Sequence, residues 1–241
     1  MKLSPLATFR KTSNALYTFT GDKEKLLVKC YRGCSAYDHI QQEQFALTYW
    51  RQAGYSVPEI RDLIVPPLEQ PYLVMTYIDG LSLREYLSSE RIALDQKLLA
   101  VEKFFADMST RHKRAIKNDD RHLLHYDPSS GNVILADNKF YYIDFEAPPQ
   151  RHGVLDAASA ELATVCRWIV RDLGIDSLKD VLRVMVSAYA DQQVLLRRTV
   201  NRTTGRPFQF YHRWQDRKRK LAQPQNVTKY DIADALRKIV C

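Results

Sequence analysis

Two short β-prone runs interrupt an otherwise helical stretch of this chain, and they constrain its fold more than any other feature. Asn132-Val133-Ile134-Leu135 and Phe140-Tyr141-Tyr142-Ile143 are rich in branched and aromatic residues, and Asp137-Asn138 lies between them. That pairing of strand formers with turn residues predicts a tight antiparallel hairpin. A hairpin brings its two ends together. Asn132 opens the first run and Asp144 follows the second, so both are expected at one end of the ribbon, with Asp127 one short loop away. Oxygen-bearing side chains gathered in this way suit Mg²⁺ bridging phosphates. Asp127 is poorly placed to be both metal ligand and base. Its loop position favours accepting the proton of an acceptor hydroxyl, which leaves Asn132 and Asp144 to hold the metal. Ile143 and Phe145 flank Asp144 with apolar surface, as an acid at the edge of a packed core requires.

The rest of the chain divides around a connector near residues 76–80. Before it, 26–31 reads as a strand after the turn-like Gly21-Asp22, 43–52 as a helix stopped by Gly54, and 72–75 as a buried strand. After it the periodicity is helical. Segments 83–87 and 94–113 come first, the longer one placing Leu98, Val101, Phe104, Phe105 and Met108 on one face. Segments 157–170, 178–196 and 229–240 follow the hairpin. In the first of these, Trp168 with Leu162, Val165 and Ile169 is expected in the core. The resulting class is α+β: a small β-rich part over 1–78 and a larger helical part over 79–241, together one domain. No apolar run has signal-peptide length at the start or approaches the roughly 20 residues of a bilayer span, so a cytosolic protein is expected. Cys30, Cys34, Cys166 and Cys241 form no CxxC pair, which argues against a zinc or redox motif and for free thiols.

The charge is uneven. The net charge is +8, and residues 197–220 contain nine basic side chains and one acid, Asp216, so the remainder of the chain is balanced. Such a patch attracts phosphate, anionic lipid head groups or nucleic acid. Tyr211 and Trp214 interleave with these basic residues in a manner that suits nucleic acid, but the reading taken is a helix packing one aromatic edge.

His125, Asp127, Asn132 five residues after the aspartate, and Asp144-Phe145 beyond the hairpin together resemble the protein-kinase-like superfamily, whose pattern is H-x-D, the asparagine, then D-F-G. The resemblance covers about residues 11–170 and implies a two-lobed kinase-like fold using ATP and Mg²⁺. It implies that Lys29 pairs the nucleotide phosphates and that Glu43, opening the following helix, orients it. It places adenine against the connector, at Met75, Thr76, Tyr77 and Ile78. Ser13 and Asn14 lie where the family has its glycine-rich loop and would cover the phosphates.

The departures are informative. Tyr126 replaces the arginine before the catalytic aspartate, and Glu146 replaces the glycine of D-F-G. Only 147–155 separates Glu146 from Asp156 and the next helix, with no A-P-E motif, which is too short for a conventional peptide-docking segment. Val74-Met75-Thr76-Tyr77-Ile78-Asp79-Gly80 resembles the connector of a compact branch containing lipopolysaccharide core (Kdo and heptose) kinases, RIO-like kinases and the small kinase of tRNA threonylcarbamoylation. The resemblance implies a hydroxyl acceptor, read as a sugar of the lipopolysaccharide core reached from the inner face of the membrane. A small-molecule acceptor of the aminoglycoside or choline type and an atypical Ser/Thr protein kinase are the other readings. A pseudokinase or anionic-surface adaptor is the reading from another class.

Overall fold

The computed structural model describes residues 3–6, 14–20, 24–65, 68–204, 209–222 and 227–240. The chain forms two compact units, Met1–Gly80 with Val133–Pro148, and Leu81–Asn132 with Pro149–Cys241. The expected turn at Gly21-Asp22 falls outside the described residues.

In the first unit β1 (Ser4–Pro5), β2 (Ala15–Thr20), β3 (Lys25–Cys30) and β4 (Tyr72–Thr76) form an antiparallel sheet in that order. Alternation along β3 sends Leu26, Val28 and Cys30 into a core with Val65 and Val74, and turns Lys29 to the other face. Helix α1 (Ala36–Gln52) begins well before the predicted 43. Its first two turns are largely polar, so the apolar period becomes readable only further on. Its buried face is Ala36, Glu43, Ala46, Leu47 and Trp50, which puts Glu43 inside the helix on the core side instead of at its start. Gly54, at φ +92°, ends α1 as expected, with Tyr55 N–H bonded back to Trp50 O at 2.9 Å.

The hairpin is β5 (Val133–Ala136) and β6 (Lys139–Tyr142), in register from Val133↔Tyr142 to Ala136↔Lys139. Asp137 and Asn138 both have positive φ, the two-residue turn that matches strand twist. Asn132 does not open the strand: it closes a 3₁₀ turn, Ser130–Asn132. Trp50 fastens the hairpin, its ring centroid 5.0 Å from Tyr142 and 4.8 Å from Phe145. At the end of the connector, a Cβ added to Gly80 would lie 2.4 Å from Leu135 O and 2.9 Å from the Ala136 and Ile134 side chains. Gly80→Ala is therefore expected to destabilise the protein by about 1–3 kcal/mol, read as a lower urea midpoint. An unchanged midpoint would show slack between connector and hairpin.

The second unit is helical. It contains α2 (Leu83–Ser88), α3 (Leu94–Asn118), α4 (Val154–Leu173), α5 (Leu178–Ala188), α6 (Gln193–Thr204), α7 (Gln209–Ala222) and α8 (Lys229–Val240). Ser82 and Glu85 form a capping box at α2. Val101, Phe104, Phe105 and Met108 of α3 and Leu162, Val165 and Ile169 of α4 are buried as expected. The predicted helix 178–196 is broken into α5 and α6. Its apolar period runs on through Tyr189, but the intervening residues are drawn into side-chain bonds: the Tyr189 hydroxyl meets His112 Nδ1 at 3.0 Å, and Gln192 donates to Ser109 Oγ and O.

Two aromatic expectations fail. Trp168 is half-buried beside the guanidinium groups of Arg171 (3.9 Å) and Arg84 (4.8 Å), a cationic setting that apolar spacing does not reveal. Tyr211 and Trp214 are exposed on α7 and do not pack inward. Among the described residues no helix is long and apolar enough to cross a membrane, and Cys30, Cys34 and Cys166 are free thiols.

Candidate functional site

The first unit gathers its ionisable groups around one lysine. Lys29 Nζ lies 2.7 Å from Glu43 Oε2, 2.7 Å from Asp144 Oδ1 and 2.6 Å from Glu146 Oε1. Strand alternation sends Lys29 off the core face, the apolar face of α1 carries Glu43 to it, and Asp144 arrives from the end of the hairpin. Asp144 holds φ +66°, a left-handed conformation that aspartate tolerates better than most residues. Glu146 stands two residues on. It accepts from the Asn14 amide and lies 3.5 Å from His39 Nδ1. Tyr31 donates its hydroxyl to Glu43 Oε2.

Burial alone would depress the Lys29 pKa, but Glu43, Asp144 and Glu146 outweigh it and hold the ammonium above its ordinary value. Burial pushes the Glu146 carboxyl up against the pull of Lys29. Burial, reinforced by the Glu43 charge, keeps the Tyr31 phenol protonated. Three carboxylates facing one ammonium leave two negative charges in excess. Glu43, Asp144 and Glu146 each offer an oxygen within 4.8 Å of the others. A hard-oxygen donor set with that charge fits a divalent cation such as Mg²⁺.

Of the nucleotide-contact candidates in this unit, Asn14 joins the cluster through Glu146, and Ser13 lies outside the described residues. Met75 and Thr76 end β4. Thr76 N–H is bonded to Glu59 O and Tyr77 N–H to Lys25 O. Among the described residues no hydrogen bond engages the Ile78 amide.

The second unit holds Asp127 and Asn132. The Asn132 amide donates to Asp127 O at 2.9 Å and Oδ2 at 3.2 Å, and Asp127 N–H donates to His125 Nδ1 at 3.2 Å. Asp127 is exposed, whereas His125 is buried. Beneath this loop lies a polar cluster that the sequence reading missed. Glu161 takes Arg111 in a two-pronged pair at 2.5 and 3.2 Å, His112 Nε2 at 3.2 Å and the His125 N–H at 3.1 Å, while Arg111 also donates to Leu123 O. Burial would raise the Glu161 carboxyl, but Arg111 and His112 hold it well below the carboxylate range; burial keeps His112 low. The signal was present, since Arg111, His112 and Glu161 interrupt the apolar faces of α3 and α4. Further along the loop, Ser130 donates to Asp172, and the Arg84 guanidinium lies against Gly131, 3.2 Å from where a Cβ would stand.

No protein-family model matches this chain, and no curated protein sequence matches it. Solved structures do align with it. WaaP in complex with acyl carrier protein shares 16% identity over 83% of this chain and 87% of that one, with a TM-score of 0.51. Two structures of the Mycobacterium tuberculosis PknI kinase domain share 14% identity, with TM-scores of 0.48 over 70% and 71% and 0.47 over 70% and 70% of the two chains. The fold is protein-kinase-like and belongs to the α+β class.

Proposed function

We propose that this chain is an ATP- and Mg²⁺-dependent phosphotransferase that moves the γ-phosphate to a hydroxyl acceptor. The observation that carries the reading is the Lys29 ammonium held at 2.6–2.7 Å by Glu43, Asp144 and Glu146. An ammonium kept charged in a buried site is suited to bind and orient nucleotide phosphates, with Glu43 holding its position. Asp144 and Asn132 are the metal ligands of this reading, and Glu146 joins them on the strength of its carboxylate beside Asp144. Bound there, Mg²⁺ would neutralise charge on the phosphate oxygens. Asp127 accepts the proton of the acceptor hydroxyl, its carboxylate aimed by the Asn132 amide and its N–H fixed by His125. The work of this chain is positioning and charge stabilisation, because phosphoryl transfer asks little covalent chemistry of a protein. Met75, Thr76, Tyr77 and Ile78 would line adenine, with the Ile78 amide as the donor.

The acceptor we assign is a sugar of the bacterial lipopolysaccharide core. What supports it is the short 147–155 segment, which offers little to a peptide, and the basic excess of 197–220, which suits an anionic acceptor. Labelled ATP offered with core oligosaccharide, choline, an aminoglycoside and a generic protein substrate tests the assignment. Transfer to core oligosaccharide alone supports it, and transfer to another acceptor replaces it. With the accepted substrate, Asp127→Asn is expected to lower turnover by about 10²-fold or more. Full activity in that variant would remove Asp127 from the role of base. A chain that gains no thermal stability from ATP with Mg²⁺ would be an adaptor instead.

A further inference from the structure

Helix α7 carries its large aromatic side chains on the outside. Phe210 is 85% exposed, Tyr211 52% and Trp214 45%, and Arg217 and Lys218 are exposed beside them. At 3.6 residues per turn these five side chains fall within an arc of about 120°. Arg217 and Lys218 bracket Phe210 and Trp214 on either side of that stripe. Arg213, Gln215 and Asp216 lie outside the arc and are half-buried. Arg213 turns to α8, where it meets Asp234 at 2.6 and 2.7 Å and stands 4.7 Å from the Tyr230 ring. One side of α7 is thus tied to the protein, and an aromatic, cationic side faces out. Large aromatic side chains exposed together on one helix face mark an interaction site.

We propose that this face of α7 docks the protein on an anionic lipid surface. Phe210, Tyr211 and Trp214 enter the head-group layer, and Arg217 and Lys218 meet the lipid phosphates. Aromatic residues that tolerate the boundary between apolar and polar phases, flanked by long basic side chains that extend back towards phosphates, make an interfacial helix. Charge selects the lipid: residues 197–220 hold the whole positive excess of the chain. The alternative polyanion is nucleic acid, which uses open aromatic faces as stacking platforms. The Trp214 ring is stacked on Tyr211 at 6.0 Å and 29° and has the Lys218 ammonium 3.8 Å above it, so it offers a base little. The inference does not depend on the phosphotransferase reading.

The full chain, mixed with vesicles containing phosphatidylglycerol or with pure phosphatidylcholine vesicles, provides the test. Sedimentation with the anionic vesicles alone is expected, weakening as salt is raised. Tryptophan emission should shift to the blue on binding and lose that shift in Trp214→Phe, since Trp50 is buried and Trp168 lies beside Arg84 and Arg171. Phe210→Ser with Trp214→Ser, and separately Arg217→Glu with Lys218→Glu, should each lower vesicle partition at least about tenfold. Neither pair should move the melting temperature, because these side chains are exposed. Asp144→Asn should bind vesicles like the parent, which separates docking from phosphate transfer. The proposal is overturned by parental partition in both double variants, or by a lowered melting temperature in the aromatic pair. Oligonucleotide binding lost in the same variants, without vesicle binding, would overturn it as well.

Discussion

Asp144→Asn is expected to leave the protein folded and to reduce phosphate transfer from ATP below about 10⁻³ of the parent rate. The fold should survive because asparagine keeps the volume of aspartate and tolerates the same left-handed backbone, here φ +66°. Lys29 also retains two carboxylates, Glu43 at 2.7 Å and Glu146 at 2.6 Å. What changes is charge. Three carboxylates around one ammonium become two, and the excess that favours a divalent cation falls by half. The stabilisation by ATP that depends on Mg²⁺ should therefore fall towards the value seen with ATP and no metal. Asp144→Ala should lose transfer equally, with an added cost of about 1–2 kcal/mol for alanine in a left-handed conformation. Parental turnover in Asp144→Asn would end the assignment of this carboxylate and, with it, the reading of the Lys29 cluster as a phosphate site.

The hairpin was legible because short-range rules govern it, whereas Lys29 stood out only through the kinase-like resemblance. Asp137-Asn138 between β-formers specifies a two-residue turn, and the turn then fixes the register that ends at Val133 and Tyr142. Alternation in β3 sends Lys29 away from Val28 and Cys30. The start of α1 was not legible, since a helix whose first turns are polar announces itself only where its apolar face begins. The break between α5 and α6 was hidden for the opposite reason: the apolar period continues while Gln192 and Tyr189 are claimed by α3. Glu146 was noted only as a departure from D-F-G. No rule of spacing shows that Asn14, His39 and Lys29 all meet it. The Arg111–Glu161 pair lay equally open as a pattern, two charged residues on apolar helix faces, and its partner assignment needs the packing of α3 on α4.

That pair supports the second large prediction. Glu161→Gln is expected to cost about 3–5 kcal/mol of stability and to lower the melting temperature by about 10 °C. Arg111 and His112 are fully buried, and Glu161 is the carboxylate that both of them meet. An amide can accept from only one of its two prongs and brings no charge, so the substitution strands a guanidinium in the interior. The pH dependence carries the same signature. The Glu161 carboxyl is held far below the ordinary range, so an unfolded chain binds a proton there that the folded chain refuses. Its contribution is complete above about pH 4–5, where an unfolded glutamate is ionised, and it declines as the pH falls from there towards the folded value. The parent should lose stability over that acid range more steeply than Glu161→Gln, which has no proton to take up at this position. His125 gives the defect a functional readout, because its N–H bonds to Glu161 and its ring accepts from Asp127. In the surviving folded fraction turnover should fall while the affinity for ATP, read on the Lys29 side, stays near the parental value. A variant within about 1 kcal/mol of the parent, with an unchanged acid profile, would mean that Arg111 finds its counter-charge elsewhere.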